Sequence, residues 1–582
     1  MPLTSSQKHY IKKNIGKLPI EKITVDLGLP EKEIRKYLKK QWGTEKYEKF
    51  FRKEASQKIP EKINSPGFKK FFADNINIFA FLFILILICY SNSIGNQFVS
   101  DDVATIKNNP EVGKLSLVFS NLLNSIQMSL YYVAFHLGGG SPWAFRIINI
   151  SLHFGSTILL FSILNILANK RIAVFGAAIF AVHPILVESV AWIAGMPYAL
   201  YSFFLLLSFL FYINSKERKS LKYLSLLSFF LAVMSSAKAI IFPGIIFAFE
   251  MSRSNLRKNW LKIAPFFFID LFFVMFSVSE IGKRVSEISA VSYQDSSGMY
   301  NPLIQVPTAI ANYFKLIFWP QKLSLYQTEM NFSPAQFTLI VIVFLIFLGF
   351  ILYGWRKNKS LFFWLSFFFI SLLPVLTPFK IAWVVAERYA YLGSIGIFVV
   401  AAMFFDWIAT KLEEEEEKYK MAVYFIFAAI IIALSARTIA RNIDWKDEDH
   451  LWIATAKVAS SGPNIHNNLG DVYARNGDFE KAAEEFKKSI EINPNYGDAY
   501  HNLGNTYNSM GKANLAIENY QKALSINPNI WQSHQNLAGI YFNQGDYQKA
   551  YESIKKATEI NPTDENLKKN LAIIEEKVNS IK

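Results

Sequence analysis

Two adjacent carboxylates, Asp101 and Asp102, stand in Gln97-Phe98-Val99-Ser100-Asp101-Asp102-Val103, shortly after a long apolar run that ends near Tyr90. Charge beside hydrocarbon is costly, so an acidic pair at the edge of a bilayer is a functional candidate. The plain alternative is a solvated pair that ends a helix. Further polar groups interrupt later apolar runs. They are His183 and Glu188 in AVHPILVESVAWIAG, Lys238 in SSAKAIIFPG, and Glu387, Arg388 and Tyr389 in VVAERYAYLGSIG. Any one of them alone reads as an internally paired helix contact. Together they form an acidic loop and two cations beside lipid. That set suits transfer of a sugar from a polyprenyl phosphate. The leaving group is already good, so the reaction needs a carboxylate to take the acceptor's proton and fixed cations on the departing phosphate. Arginine grips phosphate at two points and lysine acts as a point charge. A divalent metal, Mg or Mn, at Asp101 and Asp102 stays open, since hydroxyl activation alone needs none. No GxxxxGK[ST] loop, HExxH or pair of CxxC motifs is present, and HLGGG at 136–140 lacks a GxSxG partner. Its glycines read as a turn.

These residues must be positioned by membrane helices. Apolar residues make up 52% of the 582 and aromatics 16%. Runs of about 20 residues suited to spanning fall at 73–92, 146–168, 172–190, 196–214, 221–236, 238–252, 261–279, 336–354, 360–378, 386–409 and 420–437, about eleven in all. A shorter run at 302–320 reads as an outer re-entrant or interfacial helix. With a cytoplasmic N-terminus, every second connection should be rich in Lys and Arg. Those connections read NKR at 169–171, SKERKSLK at 215–222, SRSNLRKNWLK at 252–262, GWRKNKS at 354–360 and KLEEEEEKYK at 411–420. The opposite set, 93–145, 191–195, 237, 280–335 and 379–385, is less basic. Asp101-Asp102, Glu188, Lys238 and Glu387-Arg388 then share the outer face, and residues 438–582 lie outside. The glutamate run 413–417 reads as a solvated loop.

Residues 1–70 hold 18 Lys and Arg against 8 Asp and Glu, the larger part of the net +15. Basic segments flanking apolar runs fit a cytoplasmic membrane face better than nucleic acid. Residues 5–42 read as three short helices around Ile11, Ile15, Leu18, Ile20, Ile23, Leu27, Leu29, Ile34 and Leu38, and 43–70 as a helical linker. The first apolar run begins too late for a cleaved signal peptide. The single cysteine, Cys89, rules out an intramolecular disulfide.

The tail repeats with a period of 34 residues: Leu469-Gly470, Leu503-Gly504, Leu537-Ala538; Tyr473, Tyr507, Tyr541; Ala482, Ala516, Ala550; Phe486, Tyr520, Ile554; Pro494, Pro528, Pro562. This is the tetratricopeptide pattern, with 564–580 as a capping helix.

The chain resembles the transmembrane-and-tetratricopeptide family of protein O-mannosyltransferases, within the GT-C class of membrane glycosyltransferases. The resemblance rests on FVSDDVATIKNNPEV at 98–112, FRIINISLH at 145–153, AAIFAVHPILVESVAWIAG at 177–195, NYFKLIFWPQKLSLY at 312–326, VAERYAYLGSIG at 385–396 and ARNIDWKDEDHLW at 440–452, in this order and spacing. It implies Asp101 as catalytic base, with Asp102 beside it placing the acceptor or a cation. It implies Arg388 and Lys238 on the lipid phosphate, His183, Glu188, Glu387 and Tyr389 as shaping the site, and repeats that present a protein acceptor. The sequence departs from the family pattern at NLLNSIQMSL, at Met196 and Tyr198, where Arg and an acid usually stand, and at Lys238-Ala239, usually Lys-Glu.

The expected fold is all-α. A basic cytoplasmic module and linker (1–70) precede a GT-C-like transmembrane domain (71–437), a linker (438–462) and a tetratricopeptide solenoid with its cap (463–582). The expected protein is a multi-pass integral-membrane glycosyltransferase, in the inner or plasma membrane if the source is bacterial. It would move mannose or another hexose from a lipid-linked donor to Ser/Thr of exported proteins. The alternative is a non-catalytic membrane scaffold whose repeats recruit partners. A transporter would show polar residues deep in several spans and internal symmetry, and neither is evident.

Overall fold

The computed structural model describes residues 3–15, 20–57, 68–120, 124–215, 218–290, 301–325, 327, 332–376 and 384–581. Leu18, much of the linker before 68, and most of the connection expected at 379–385 lie outside these residues. The described chain is helical, without strands, and falls into two compact units, Met1–Ser65 and Pro66–Lys582.

In the first unit, Thr4 caps helix Ser5–Asn14 and exchanges reciprocal hydrogen bonds with Gln7. Helices Ile20–Leu27 and Glu31–Gln57 follow. Leu3, Ile11, Ile20, Ile23, Ile34 and Leu38 form a small core. The third helix runs on past the expected end near 42, with a break at Gly43, where φ is +73°.

In the second unit the described parts of the apolar runs are largely helical. Among the described residues, six helices are long and apolar enough to cross a membrane: Lys70–Ser93, Pro142–Leu167, Ile193–Asn214, Pro334–Lys357, Glu387–Glu415 and Tyr419–Asp444. Lys170–Val182 and Pro184–Val190, bent by 54°, make a seventh if counted as one span. Fewer helices meet that test than there are apolar runs. Lys219–Val233, Phe242–Ser252 and Lys359–Leu372 are short, and Ser235–Ser236 breaks the 221–252 stretch between the first two. Lipid-compatible side chains such as Leu345, Phe350, Phe425 and Ile432 remain on the outside. Several polar side chains turn inward and pair. His153, for example, joins three helices through Tyr391 Oη at 2.9 Å and the Ala181 carbonyl at 3.2 Å. Helices Lys359–Leu372 and Ala390–Glu415 touch closely at Gly396, where a Cβ would stand 2.2 Å from the Trp364 carbonyl oxygen.

The tail forms three helix pairs: Pro463–Arg475 with Phe479–Ile492, Gly497–Ser509 with Ala513–Ile526, and Trp531–Asn543 with Tyr547–Ile560. Glu565–Ile581 follows as a fourth element. The repeating small residues are the contact points, since a Cβ on Gly470 or Gly504 would stand 2.7 Å from the ring of Phe486 or Tyr520. Side-chain amides cross between repeats: Asn502 donates to Asn467 at 3.0 Å and Asn536 to Asn505 at 2.7 Å.

Gly396→Val should destabilise the helical bundle by about 1–3 kcal/mol, because backbone rather than a flexible side chain blocks the added atoms. Gly349→Ala, which meets nothing within 4 Å and lies inside helix Pro334–Lys357, should leave thermal unfolding in detergent no lower and slightly raised. Equal melting of the two variants would contradict this packing.

Candidate active site

The acidic loop follows the first span. Ser100 adopts φ +54°, and Asp101 then begins a helical turn that continues into Val103–Lys107. Successive side chains on such a turn point about 100° apart, which divides the two carboxylates. Asp101 is exposed, whereas Asp102 is fully buried. Asp102 Oδ1 accepts the Ala194 N–H at 2.7 Å and Oδ2 accepts the Val99 N–H at 3.4 Å. Burial pushes the Asp102 carboxyl up to about 7; the Ala194 N–H, the Arg146 guanidinium and the Val99 N–H act against this rise, and the Asp101 charge adds to it.

Arg146, from helix Pro142–Leu167, ties the loop down. It donates Nε to the Ala191 carbonyl at 2.9 Å, Nη1 to Asn96 O and Nη2 to Gln97 O. Trp192 adds its indole N–H to the Val99 carbonyl at 3.3 Å, and Asn149 holds the Trp192 carbonyl at 3.0 Å. The segment 191–194 therefore serves as the seat of the acidic loop.

That seat follows a bend in the helix before it. His183 ends Lys170–Val182: its Nδ1 accepts the Ile185 N–H at 3.2 Å, so Nε2 carries the proton and donates to the Ile317 carbonyl at 2.9 Å. The second arm brings Glu188 to the turn Glu387–Tyr389. Glu188 Oε2 accepts the Arg388 backbone N–H at 2.7 Å, and Oε1 pairs with the Arg388 guanidinium. The glutamate side chain is wholly buried, while that of Arg388 keeps 11% of its surface. A ligand would therefore meet the arginine. Gly195 lets the chain fold back closely on this arm after Val190, because a Cβ there would fall 2.3 Å from the Glu188 carbonyl oxygen.

Arg388 lies 5.5 Å from the Trp192 ring and 5.0 Å from that of Tyr389. Tyr389 neighbours Tyr198 at 5.8 Å, and the Lys238 ammonium sits 4.9 Å from the Tyr198 ring. A line of contacts thus joins Asp102, Val99, Trp192, Arg388, Tyr389, Tyr198 and Lys238, with Val99 bonded to both Asp102 and Trp192. Glu387 turns the other way. It is buried and accepts the Ser324 N–H at 2.5 Å and Arg441 Nη2 at 3.0 Å. For a divalent cation, the acidic loop offers one exposed carboxylate, because Asp102 engages both oxygens with main-chain N–H groups. Among the described residues no three His, Cys, Asp or Glu side chains gather as ligands.

The residues that seat the site, Arg146, Trp192 and Arg441, were not singled out from sequence. The signal for the two arginines was available, since each is a cation in or beside an apolar run. Arg146 binds the distant main-chain carbonyls of Ala191, Asn96 and Gln97, and Arg441 binds Glu387, 54 positions away, beside its near neighbour Asp444; no local pattern reveals the distant partners.

Because the native carboxyl of Asp102 titrates higher than the unfolded one, protonation favours the fold. This contribution is greatest below the unfolded value of 3.8, declines as pH rises through about 7, and is lost above it. The whole window corresponds to about 4 kcal/mol at most. Between about pH 5 and pH 8 the wild type should lose thermal stability relative to Asp102→Asn, whose amide does not titrate. Parallel melting profiles would contradict the burial argument.

A tetratricopeptide-repeat model matches residues 463–529, and a second matches 531–564. The human protein O-mannosyl-transferase TMTC3 is 24% identical over 487 residues, which cover 72% of this chain and 52% of the relative. The Caenorhabditis elegans protein O-mannosyl-transferase F38B6.6 is 24% identical over 467 residues, covering 71% and 62%. Human TMTC4 is 23% identical over 471 residues, covering 67% and 63%. The chain spans about half the length of the first of these relatives. Among solved structures, MamA is 22% identical and covers 26% of this chain and 94% of its own, at a TM-score of 0.19. The chain thus carries a tetratricopeptide array at 463–564 and is similar, over roughly 70% of its length, to proteins named as protein O-mannosyl-transferases.

Proposed function

We propose that the chain is an integral-membrane glycosyltransferase. It moves a hexose, mannose by analogy with the names of its relatives, from a polyprenyl phosphate to a Ser or Thr hydroxyl of a protein acceptor. The observation that carries this reading is the line of contacts linking the acidic loop to Arg388. It sets an exposed carboxylate and a partly exposed cation on one continuous support.

In this reading Asp101 takes the proton of the acceptor hydroxyl while that oxygen attacks the anomeric carbon. The bond between that carbon and the phosphate oxygen breaks, and the polyprenyl phosphate departs with the electron pair. Asp101 then releases the proton to water. Arg388 and Lys238 stabilise the phosphate as its charge develops. Asp102 acts through the main chain, fixing the Asp101 turn onto Ala194. His183, Glu188, Glu387 and Tyr389 shape the site, with Glu188 holding Arg388 in place. No step is assigned to a metal. The lipid tail lies against the apolar helix faces, and the repeats hold the protein acceptor. Lys- and Arg-rich alternate connections support a cytoplasmic N-terminus, with the site and repeats on the opposite side.

With the full chain in lipid nanodiscs, polyprenyl-phosphate mannose and a Ser/Thr peptide, Asp101→Asn should lower transfer at least about 100-fold without changing thermal melting. Undiminished transfer would remove Asp101 as base. In cells lacking the gene, mass spectrometry of exported proteins should show loss of a hexose from Ser or Thr. If no such loss occurs and the purified chain transfers nothing, a partner-recruiting scaffold is the better reading.

A further inference from the structure

Ser100, the residue before the acidic pair, has φ +54°, a region that L side chains rarely occupy. Such strain persists only where neighbouring contacts enforce it. Here the contact comes from the far end of the membrane unit. The Ser100 N–H donates to Glu448 Oε1 at 2.5 Å, while its carbonyl accepts the Val103 N–H at 3.1 Å.

Glu448 is itself held from two directions. Its Oε2 accepts the Trp452 indole N–H at 2.6 Å, one turn along helix Glu448–Val458. It also opens that helix, capped by Asp447, where the aligned peptide dipoles favour a carboxylate. The next residue, Asp449, faces the repeat array: it pairs with Arg475 at 3.0 Å and accepts from Asn476 at 3.0 Å, at the end of the first repeat helix. Weaker stitches secure the base of the loop, from Gln97 N–H to Lys446 O at 2.8 Å and from Asn96 to Asn442 O at 3.0 Å. Glu448 touches the residue that sets the direction of Asp101.

We infer that Glu448 is a positioning residue. Its carboxylate holds Ser100 in the left-handed conformation, and so holds the Asp101 turn in register with the first tetratricopeptide repeat. Without it, Ser100 relaxes to negative φ, the peptide plane before Asp101 rotates, and the base moves off the acceptor hydroxyl. An acceptor bound by the repeats and the group that deprotonates it are thereby fixed to one helix. The kinetic consequence rests on the transferase reading; the structural one does not.

The experiment compares full-length wild type, Glu448→Ala, Glu448→Gln and the double variant Glu448→Ala/Ser100→Gly in nanodiscs. Backbone amide exchange over 99–103 and transfer from polyprenyl-phosphate mannose to a Ser/Thr peptide are both measured. Glu448→Ala should speed exchange in that segment and lower kcat roughly tenfold, with KM for the donor unchanged. Glu448→Gln keeps an acceptor oxygen for Ser100 and should retain most of the rate. The double variant should recover part of kcat, because glycine adopts positive φ without strain. If Glu448→Ala does not fold, Trp452→Phe tests the same clamp by removing the indole donor, and should give a smaller rise in exchange. Wild-type exchange and wild-type kcat in Glu448→Ala would overturn the inference. If the unmodified chain transfers no sugar, the transferase reading falls instead. The exchange data then decide the clamp alone: faster exchange supports it and unchanged exchange overturns it.

Discussion

A charge removed from water must find an opposite charge nearby, and the rim of this helical bundle is organised by that requirement. Glu188 is buried and pairs with Arg388, and Glu387 is buried and pairs with Arg441. Leaving one partner of such a pair alone costs roughly 3–5 kcal/mol. The turn 387–389 is therefore pinned from both sides, by the bent segment 184–190 and by the last long apolar helix. Its two charged residues consequently face different ways. Glu387 is turned into the bundle, while Arg388 keeps part of its surface exposed.

The acidic loop follows the same logic with main-chain donors in place of a counter-charge. Asp102 is buried against two N–H groups, and Arg146 clasps three carbonyls around it. The work of the pair is thereby divided. One carboxylate is an anchor, and its neighbour, a third of a helical turn away, is left in solvent. Two adjacent acids that look equivalent in sequence have opposite environments because a helical turn cannot point both the same way.

Continuity between the bundle and the tail is the second consequence. Trp445 stacks on Trp192 at 5.5 Å, Glu448 reaches the acidic loop, and Asp449 reaches the first repeat. The stretch 445–452 thus lies against the loop that bears the acids. A repeat array mounted in this way presents its surface at a set distance from Asp101.

Much of this was legible from residue order. The 34-residue period named the solenoid, because each helix pair needs small residues at the same contact points and proline at the same ends. Apolar runs located the membrane helices, and Asp101, Asp102, Glu188, Lys238 and Arg388 stood out as polar groups beside them. Residue order could not say how many runs are long enough to cross a bilayer, since breaks such as Ser235–Ser236 and the bend at His183 depend on packing. Nor could it say which aspartate is buried, that Glu387 belongs to Arg441, or that Glu448 supports Ser100, some 350 positions away in sequence. Hydrophobicity and periodicity are properties of neighbouring residues and survive without a fold. Pairing of buried charges and satisfaction of main-chain donors are settled only when distant segments are brought together, so those features belong to the tertiary structure alone.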